Sequence, residues 1–334
     1  MAGFSVEGAE VEKAVETSLA ATDSAVLAVS GGLDSMALLM AAARLPTRTR
    51  RKITVATFDH GTGPAAGRAA SLVARQAFRS GFLCVSGRAS TVGRREEEWR
   101  RARWQFLKQV AAGRGAKVVT AHTLDDQVET VFMRILREAG PRGLAGLYAD
   151  SEIIRPFLNV SRAMLAAYVA ENRVPFVQDP SNFDRRHLRN RVRLDILPSI
   201  MRQNPEFPAY LLTLARESAD WRRSVEDLLP AIDAAEELGG ALRISRSSLA
   251  GYDAESLRVL WPALAARAHV VMDRRGTHRA AEFTIKGATG GTIQLSGGVE
   301  IVMRRDHMLL RRAQARRQAS VGRQIPSAQA ELRA

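Results

Sequence analysis

The chain has 334 residues, 46% of them hydrophobic, and no apolar run approaches the ~18 residues of a membrane span, so we expect a globular protein of two domains. Residues 1–20 lack the charge pattern of a signal peptide, and Cys84 as the only cysteine excludes disulfides and paired-cysteine metal sites, which favours a cytoplasmic protein. The formal net charge of +14 favours a polyanionic partner such as nucleic acid, and an arginine-rich composition is the alternative explanation.

The first half of the sequence alternates short β-rich runs with helical patterns. Strands are predicted at residues 25–29, 53–58, 82–86 and 117–120, with helices between them. This strict alternation indicates parallel βαβ units, and therefore an α/β fold with a doubly wound parallel sheet that is covered on both faces. Ligands of such sheets bind at the carboxyl ends of the strands, so we expect the site there.

The second half reads as mainly helical, with a few short strands near its end. Helical patterns cover residues 162–173, 188–201, 210–229 and 248–269, and short antiparallel strands are predicted at 292–295, 299–303 and 308–310. We therefore predict a catalytic domain at residues 1–205 and a smaller, mainly helical α+β domain at residues 206–312. Residues 313–334 are polar and rich in arginine, so we expect a disordered tail there.

A glycine-rich turn connects the first predicted strand directly to a helix. Glycine lets the backbone approach an anion closely, and the helix N-terminus directs unpaired N–H groups at the same point. Asp34 is suited to hold a magnesium ion against phosphates. The alternative is an ordinary helix start that is capped by Asp34 or Ser30. The predicted nucleotide-binding residues of this turn are Ser30, Gly31, Gly32, Leu33, Asp34 and Ser35.

Two further polar segments follow predicted strands. Asp59 and His60 end the second strand, beside the expected position of adenosine, and a capped turn is the alternative. After the fourth strand, His122 precedes a helix on which Asp126 and Glu129 share one face. Two carboxylates near a phosphate loop can share a magnesium ion or receive an ammonium group, whereas a simple complement to the helix dipole is the alternative.

These motifs together resemble one family. The SGGxDS turn at residues 30–35 is the signature of the PP-loop pyrophosphatases, which split ATP between its α and β phosphates. Its combination with the AHxxDDQxET segment at residues 121–130 resembles the tRNA(Ile)-lysidine synthetase family. Residues 58–61 are similar to the family's DHGLR-like motif, from which the sequence departs after Gly61.

Four more segments agree with the same family. Residues 96–104 resemble its ExxxRxxRY stretch, with Trp104 in the tyrosine position. The other resemblances are residues 141–147 to GxxGLxG, residues 155–158 to RPLL, and residues 179–193 to a DxSNxD and RNxxR pair. Arginines of the last pair offer forked guanidiniums that suit phosphate or carboxylate, although an arginine-rich helix can also be a solvated face.

The resemblance implies a ligase that forms a carbon–nitrogen bond with ATP and Mg²⁺. In the implied reaction, the 2-carbonyl oxygen of the wobble cytidine of a CAU-anticodon tRNA(Ile) attacks the α-phosphorus, and the ε-amine of free L-lysine then displaces AMP. The second domain would bind the tRNA, and a homodimer is left open as the assembly. The candidate residues are Asp34, Asp126 and Glu129 as metal ligands and catalytic groups, Arg100, Arg103 and His122 as further catalytic groups, and Arg189, Asn190 and Arg193 for the base or lysine.

Three other functions are compatible with parts of the sequence. A tRNA thiolase shares ATP activation, but such enzymes use paired cysteines and this chain has Cys84 alone. An ATP-dependent amide synthetase of the same fold would not need a basic second domain. A catalytically silent RNA-binding module would not need to keep Asp34, Asp126 and Glu129 together.

Overall fold

In the computed structural model, which describes residues 6–61, 63–89, 96–237 and 239–313, four short apolar runs form a parallel sheet. The strands are β1 (Ala25–Ala28), β2 (Ile53–Asp59), β3 (Leu83–Arg88) and β4 (Lys117–Val119). Their order is β3-β2-β1-β4, and every pair is parallel. The predicted doubly wound sheet is thus confirmed, and its strand order reverses between β1 and β4, where such sheets bind ligands.

Helices connect and follow these strands. They are α1 (Val6–Leu19), α2 (Leu33–Ala43), α3 (Thr47–Arg50), α4 (Pro64–Arg79), α5 (Glu96–Ala112), α6 (Leu124–Ile135), α7 (Pro141–Leu144), α8 (Arg162–Glu171), α9 (Leu188–Arg191), α10 (Leu197–Gln203) and α11 (Phe207–Leu228). Short 3-10 helices occur at Gly146–Tyr148, Pro156–Asn159 and Pro180–Phe183, and a π-helical turn at Val192–Ile196 joins α9 to α10.

Both faces of the parallel sheet are buried. Leu27 and Val55 pack into a large apolar cluster on one face, to which α1, α2, α4 and α8 contribute. On the opposite face, Val26 and Ala56 pack against Leu107 of α5. Because strands buried on both faces have no polar side, the central strands β1 and β2 read as mainly apolar runs in the sequence, whereas the edge strand β3 is partly exposed. None of the helices in the described ranges is long and apolar enough to cross a membrane.

A second unit begins at Arg223, while the first ends at Arg222 within α11. It contains β5 (Ala234–Glu237), β6 (Ala241–Ser245), β7 (Thr292–Leu295), β8 (Val299–Met303) and β9 (His307–Arg312), together with α12 (Arg246–Leu249), α13 (Ala254–Arg267), α14 (Arg274–Lys286) and a 3-10 turn at Leu229–Ala231. The strands form an antiparallel sheet in the order β5-β6-β9-β8-β7. Trp261 of α13 is fully buried and donates a hydrogen bond to Thr284 of α14 at 2.8 Å.

The second unit differs from its prediction in three places. The division falls at residue 222 rather than near residue 205. Strands β5 and β6, which were not predicted, pair with each other, and Gly239 and Gly240 between them have positive φ angles of 90° and 76°. The predicted helix at 248–269 is two helices, since Gly251 with a φ of 89° separates α12 from α13. The predicted tail lies, apart from Ala313, outside the described residues.

Candidate active site

A cavity of about 380 Å³ lies at the carboxyl ends of β1, β2 and β4. The turn after β1 forms one side of it, and Val177, Asp179 and Asn182 line it from the segment before α9. That segment is attached to the turn, because the backbone N–H of Val177 donates to the carbonyl of Gly31 at 2.9 Å. Predicted site residues in the lining are Ser30, Gly32, Asp34, Ser35, His60, Arg103 and His122.

The turn after β1 is shaped by its serines and by Gly31. The Ser35 hydroxyl donates to the Gly32 carbonyl at 2.9 Å and accepts from the Ser30 backbone N–H at 3.2 Å. Among the described residues, no side chain caps the first turn of α2 at its N-cap Gly32, so the N–H groups of this turn are available to an anion. Gly31 has a φ of 89°, and a Cβ there would lie 2.9 Å from the Cβ of Ala69 on α4.

Gly31→Ala should therefore destabilise the fold and damage the phosphate loop. An alanine in the left-handed region costs about 1–2 kcal/mol, and the contact with Ala69 adds to that. Gly67→Ala on α4 is the matched control, because Gly67 lies in a helix and its nearest neighbour to a Cβ is Asp59 at 4.0 Å. Thermal denaturation should show a lower melting temperature for Gly31→Ala and an equal or higher one for Gly67→Ala. Equal stability of both variants would contradict this account of the turn.

Asp34, in the first turn of α2, combines one weak ion pair with one free oxygen. Its Oδ2 lies 3.5 Å from Nε of Arg162, while Oδ1 is buried and accepts no hydrogen bond within the described structure. Burial raises the pKa of this carboxyl above its usual range, and the neighbouring Arg162 opposes that shift. A buried carboxylate oxygen that lacks a partner is suited to receive a cation or an ordered water.

Asp126 links the start of α6 to the site through its two oxygens. Oδ2 accepts from the backbone N–H of Thr123 at 3.0 Å, while the Thr123 hydroxyl accepts from the Asp126 backbone, so the two form a capping box. Oδ1 lies 3.1 Å from Arg162, 3.3 Å from Arg193 and 3.5 Å from Arg189. Burial by itself would raise the pKa of Asp126, but Arg189 and Arg162 lower it, which keeps the carboxylate charged.

Glu129 is enclosed by the same three arginines, and only 3% of its side chain is exposed. Arg193 donates to Oε1 at 2.6 Å and to Oε2 at 2.9 Å, Arg189 donates to Oε2 at 2.9 Å, and Arg162 donates to Oε1 at 3.4 Å. Arg189 and Arg193 lie four residues apart where α9 passes into the π-helical turn, so both reach one carboxylate. The three arginines therefore compensate the buried charge of the acidic pair.

Asn190 lies between these two arginines, and its side-chain amide holds a loop. It donates to the carbonyl of Ser181 at 2.8 Å and to that of Asp184 at 2.9 Å, and the residue is 9% exposed. The loop that it holds carries Asn182 into the lining of the cavity. Asn190 thus connects the acidic cluster to the wall of the cavity.

The residues after β2 divide between the turn and the cavity. Asp59 accepts from the Gly61 backbone N–H at 2.8 Å and pairs with Arg88, so its carboxylate stabilises the turn itself. His60 lines the cavity, its ring packs edge-on against Phe58, and its Nδ1 is buried with no partner in the described structure. Burial, followed by the charge of Arg103, lowers the pKa of His60.

The two arginines predicted on α5 lie in different surroundings. Arg103 lines the cavity beside Trp104, and its Nε is buried without a partner among the described residues. Burial lowers the pKa of its guanidinium, and the nearby charge of Arg100 lowers it further. Arg100 is exposed and is not part of the cavity lining. The side chain of Glu96, which belongs to the same motif, lies outside the described residues.

His122 lies in the cavity wall, with Nδ1 2.7 Å from the hydroxyl of Thr120. Burial lowers its pKa to about 4, a shift that the nearby Asp126 opposes. The imidazole is therefore neutral at pH 7, so it can accept a proton, although a base this weak removes one from an alkylammonium poorly.

Arg162 was not among the predicted site residues, although it contacts all three predicted metal ligands. It is the first residue of α8, after the N-cap Ser161. A positively charged residue in the first turn of a helix interacts unfavourably with the helix dipole, and this unusual placement is the sequence signal that could have identified Arg162. In the described parts of the chain, no three His, Cys, Asp or Glu side chains form a ready metal cage.

Comparison with known proteins gives consistent results over most of the chain. A family profile described as a PP-loop domain matches residues 7–200. A tRNA(Ile)-lysidine synthase of Methylobacterium nodulans is 40% identical over 261 residues, which are 72% of this chain and 74% of the relative. The tRNA(Ile)-lysidine synthase of Salinispora tropica is 35% identical, and the match covers 84% of this chain and 88% of the relative. That of Salinispora arenicola is 34% identical, and the match covers 91% of this chain and 96% of the relative. Together, these matches show that the chain belongs to the tRNA(Ile)-lysidine synthase family.

Proposed function

We propose that this chain adenylates the wobble cytidine of a CAU-anticodon tRNA(Ile) with ATP and then joins the ε-amine of L-lysine to the activated base. The products are lysidine in the tRNA, AMP and pyrophosphate. The observation that supports this most directly is the arrangement of Asp34, Asp126 and Glu129, which brings a phosphate loop and a buried acidic pair to one site. The proposed setting is the cytoplasm, which agrees with a single cysteine.

The turn at residues 30–35 is proposed to hold the triphosphate. Its backbone N–H groups and the start of α2 supply fixed dipoles at the α-phosphorus, where negative charge develops as the cytidine oxygen attacks. Arg103 has a buried Nε without a partner among the described residues and lines the same cavity, so it is proposed to neutralise that charge. His60 and Trp104, also in the lining, are proposed to contact the nucleotide or the base.

Magnesium is the metal that the family and the phosphate chemistry imply, and Asp34 fits it. Its free Oδ1 is a hard oxygen ligand, and Mg²⁺ is commonly held by one or two carboxylates together with substrate phosphates. When bound, the ion would supply charge neutralisation at the transferring phosphoryl group. Asp126 and Glu129 are proposed to attract the ammonium of lysine, with arginines 189 and 193 keeping both carboxylates charged and oriented.

The lysine amine must lose a proton before it attacks the activated base. His122, with a pKa of about 4 and a hydrogen bond to Thr120, and Asp126, whose pKa is lowered by neighbouring arginines, are both weak bases, so basicity favours neither as the group that takes this proton. Arg100 is exposed on α5, and its proposed role is at the tRNA end of the cavity. Asn190 is proposed to position the loop at 181–184.

The proposed reaction is tested by incubating the protein with tRNA(Ile), radiolabelled lysine and ATP. Label should enter the RNA together with one equivalent of AMP, and both should depend on each of the three substrates. Transfer of sulfur from a sulfur donor would instead identify a thiolase. Cys84 lies on β3 and outside the lining of the cavity, which does not favour that outcome.

The second unit is proposed to bind the tRNA. Arg304 and Arg305 are exposed between β8 and β9, so their charges are available to phosphates. Replacing both with glutamine should weaken tRNA binding and reduce the slope of log K against log salt by about 1 for each lost phosphate contact. Arg258→Gln is the control, because Arg258 is paired with Glu255. A salt slope that matches the wild type, measured by filter binding, would exclude these arginines from the interface.

A further inference from the structure

Arg162 bridges the phosphate loop and the acidic pair. Its Nε lies 3.5 Å from Asp34 Oδ2, its Nη2 lies 3.1 Å from Asp126 Oδ1, and its Nη1 lies 3.4 Å from Glu129 Oε1. These carboxylates come from the first turn of α2 and from α6. One guanidinium therefore lies where the proposed reaction must bring the activated base and the incoming amine together.

The Arg162 side chain is held loosely, although its backbone is fixed. Its shortest carboxylate contact is 3.1 Å, to Asp126, whereas the shortest contacts of Arg193 and Arg189 are 2.6 Å and 2.9 Å, both to Glu129. Its own backbone N–H, however, donates to Asp125 Oδ2 at 2.7 Å. Because 28% of the side chain is exposed, it can change rotamer without moving α8.

The balance of charge in the cluster disfavours an additional cation. Asp34, Asp126 and Glu129, when ionised, offset the charges of the three arginines that contact them. An ammonium group that enters this half-buried cluster leaves an uncompensated positive charge unless a resident cation withdraws. Arg162 is the most weakly held of the three, and phosphates at the neighbouring loop would offer its guanidinium a bidentate partner.

We propose that Arg162 is the resident counter-cation of the amine subsite, filling the place beside Asp126 and Glu129 that the ε-ammonium of lysine takes. Its side chain turns toward the phosphates of bound ATP and thereby opens the subsite, so nucleotide binding promotes lysine binding. This inference rests on the proposed function. It makes Arg162 a positioning residue that sets the order of substrate binding.

The test is calorimetric titration of lysine into the full-length protein, with and without a non-hydrolysable ATP analogue. In the wild type, the analogue should tighten lysine binding. Arg162→Ala should bind lysine about three- to tenfold more tightly than the wild type without nucleotide, because the competing cation is gone, and the analogue should add little. Weaker or unchanged lysine binding by the variant would overturn the proposal, since a residue that binds lysine directly or only supports the fold cannot improve affinity when removed.

Three controls make the result specific. Arg185→Ala removes an exposed arginine that pairs with Asp195, and lysine affinity should not change. Arg162→Gln should repeat the effect of alanine and replaces it if the alanine variant does not fold. Norleucine, which lacks the ε-amine, should gain nothing from either change at Arg162, and an equal gain would refute the subsite. Failure of the wild type to bind lysine at all would instead count against the proposed function.

Discussion

Asp34→Asn should reduce pyrophosphate release by at least about 100-fold while the protein still folds and binds ATP. The substitution keeps the size of the side chain but removes the charge opposite the phosphates, and it leaves only a neutral amide oxygen in place of the carboxylate that suits a magnesium ion. Burial already raises the pKa of this carboxyl, so a neutral side chain costs the fold little. The measurement is pyrophosphate release in the presence of tRNA and lysine, with ATP affinity measured separately by titration.

Asp23→Asn provides the matched control for this prediction. Asp23 is an exposed aspartate just before β1. Like Asp34 it is an aspartate close to an end of this strand, but unlike Asp34 it does not line the cavity. Its variant should release pyrophosphate at the wild-type rate. Near-normal turnover by Asp34→Asn would mean that the proposed phosphate site is misplaced.

Glu129→Ala should affect both stability and the use of lysine. Loss of this buried carboxylate leaves Arg189 and Arg193 without their shortest contacts. Breaking a fully buried pair costs about 3–5 kcal/mol, and because these arginines are partly exposed we expect about 2 kcal/mol here. The KM for lysine should rise about tenfold or more, since a hydrogen-bonded charge at the proposed ammonium site is lost. ATP affinity should stay near that of the wild type.

Two variants separate these effects of Glu129. Glu129→Gln keeps the shape of the side chain and should restore much of the stability but not the affinity for lysine. Glu152→Gln changes an exposed glutamate and should alter neither quantity. Denaturant unfolding and steady-state kinetics at varied lysine provide the two measurements. A fall in ATP affinity with an unchanged KM for lysine would assign Glu129 to the nucleotide instead.

The parts of the fold that were predicted correctly are those encoded in short segments. The central strands β1 and β2 are mainly apolar because both faces of the sheet are buried there, as Val26 and Leu27 on opposite faces illustrate. Likewise, the turn before Asp34 is visible because a strand, two glycines and a helix start follow one another within a few residues. The family's motifs lie in the same segments, so sequence comparison and physical interpretation agree there.

The second unit shows where local patterns were insufficient. Residues 234–237, Ala-Ala-Glu-Glu, have no strand signature, yet they form β5 because β6 offers an antiparallel partner in register. The helix α14 was not predicted either, since it begins with the polar run Arg-Arg-Gly-Thr-His-Arg. In both cases tertiary pairing outweighs weak intrinsic preference.

The sequence by itself determined the four parallel strands, the glycine-rich turn between the first strand and its helix, and the shared helix face of Asp126 and Glu129, because each depends on neighbours within about ten residues. Only the tertiary structure decided which cations face those carboxylates. Arg162 lies 128 residues from Asp34 and Arg193 lies 64 residues from Glu129, and no local pattern links them. Such pairs form only when α8 and the α9 segment pack beside α6, since the position of a guanidinium is set by the burial of apolar side chains elsewhere on the chain.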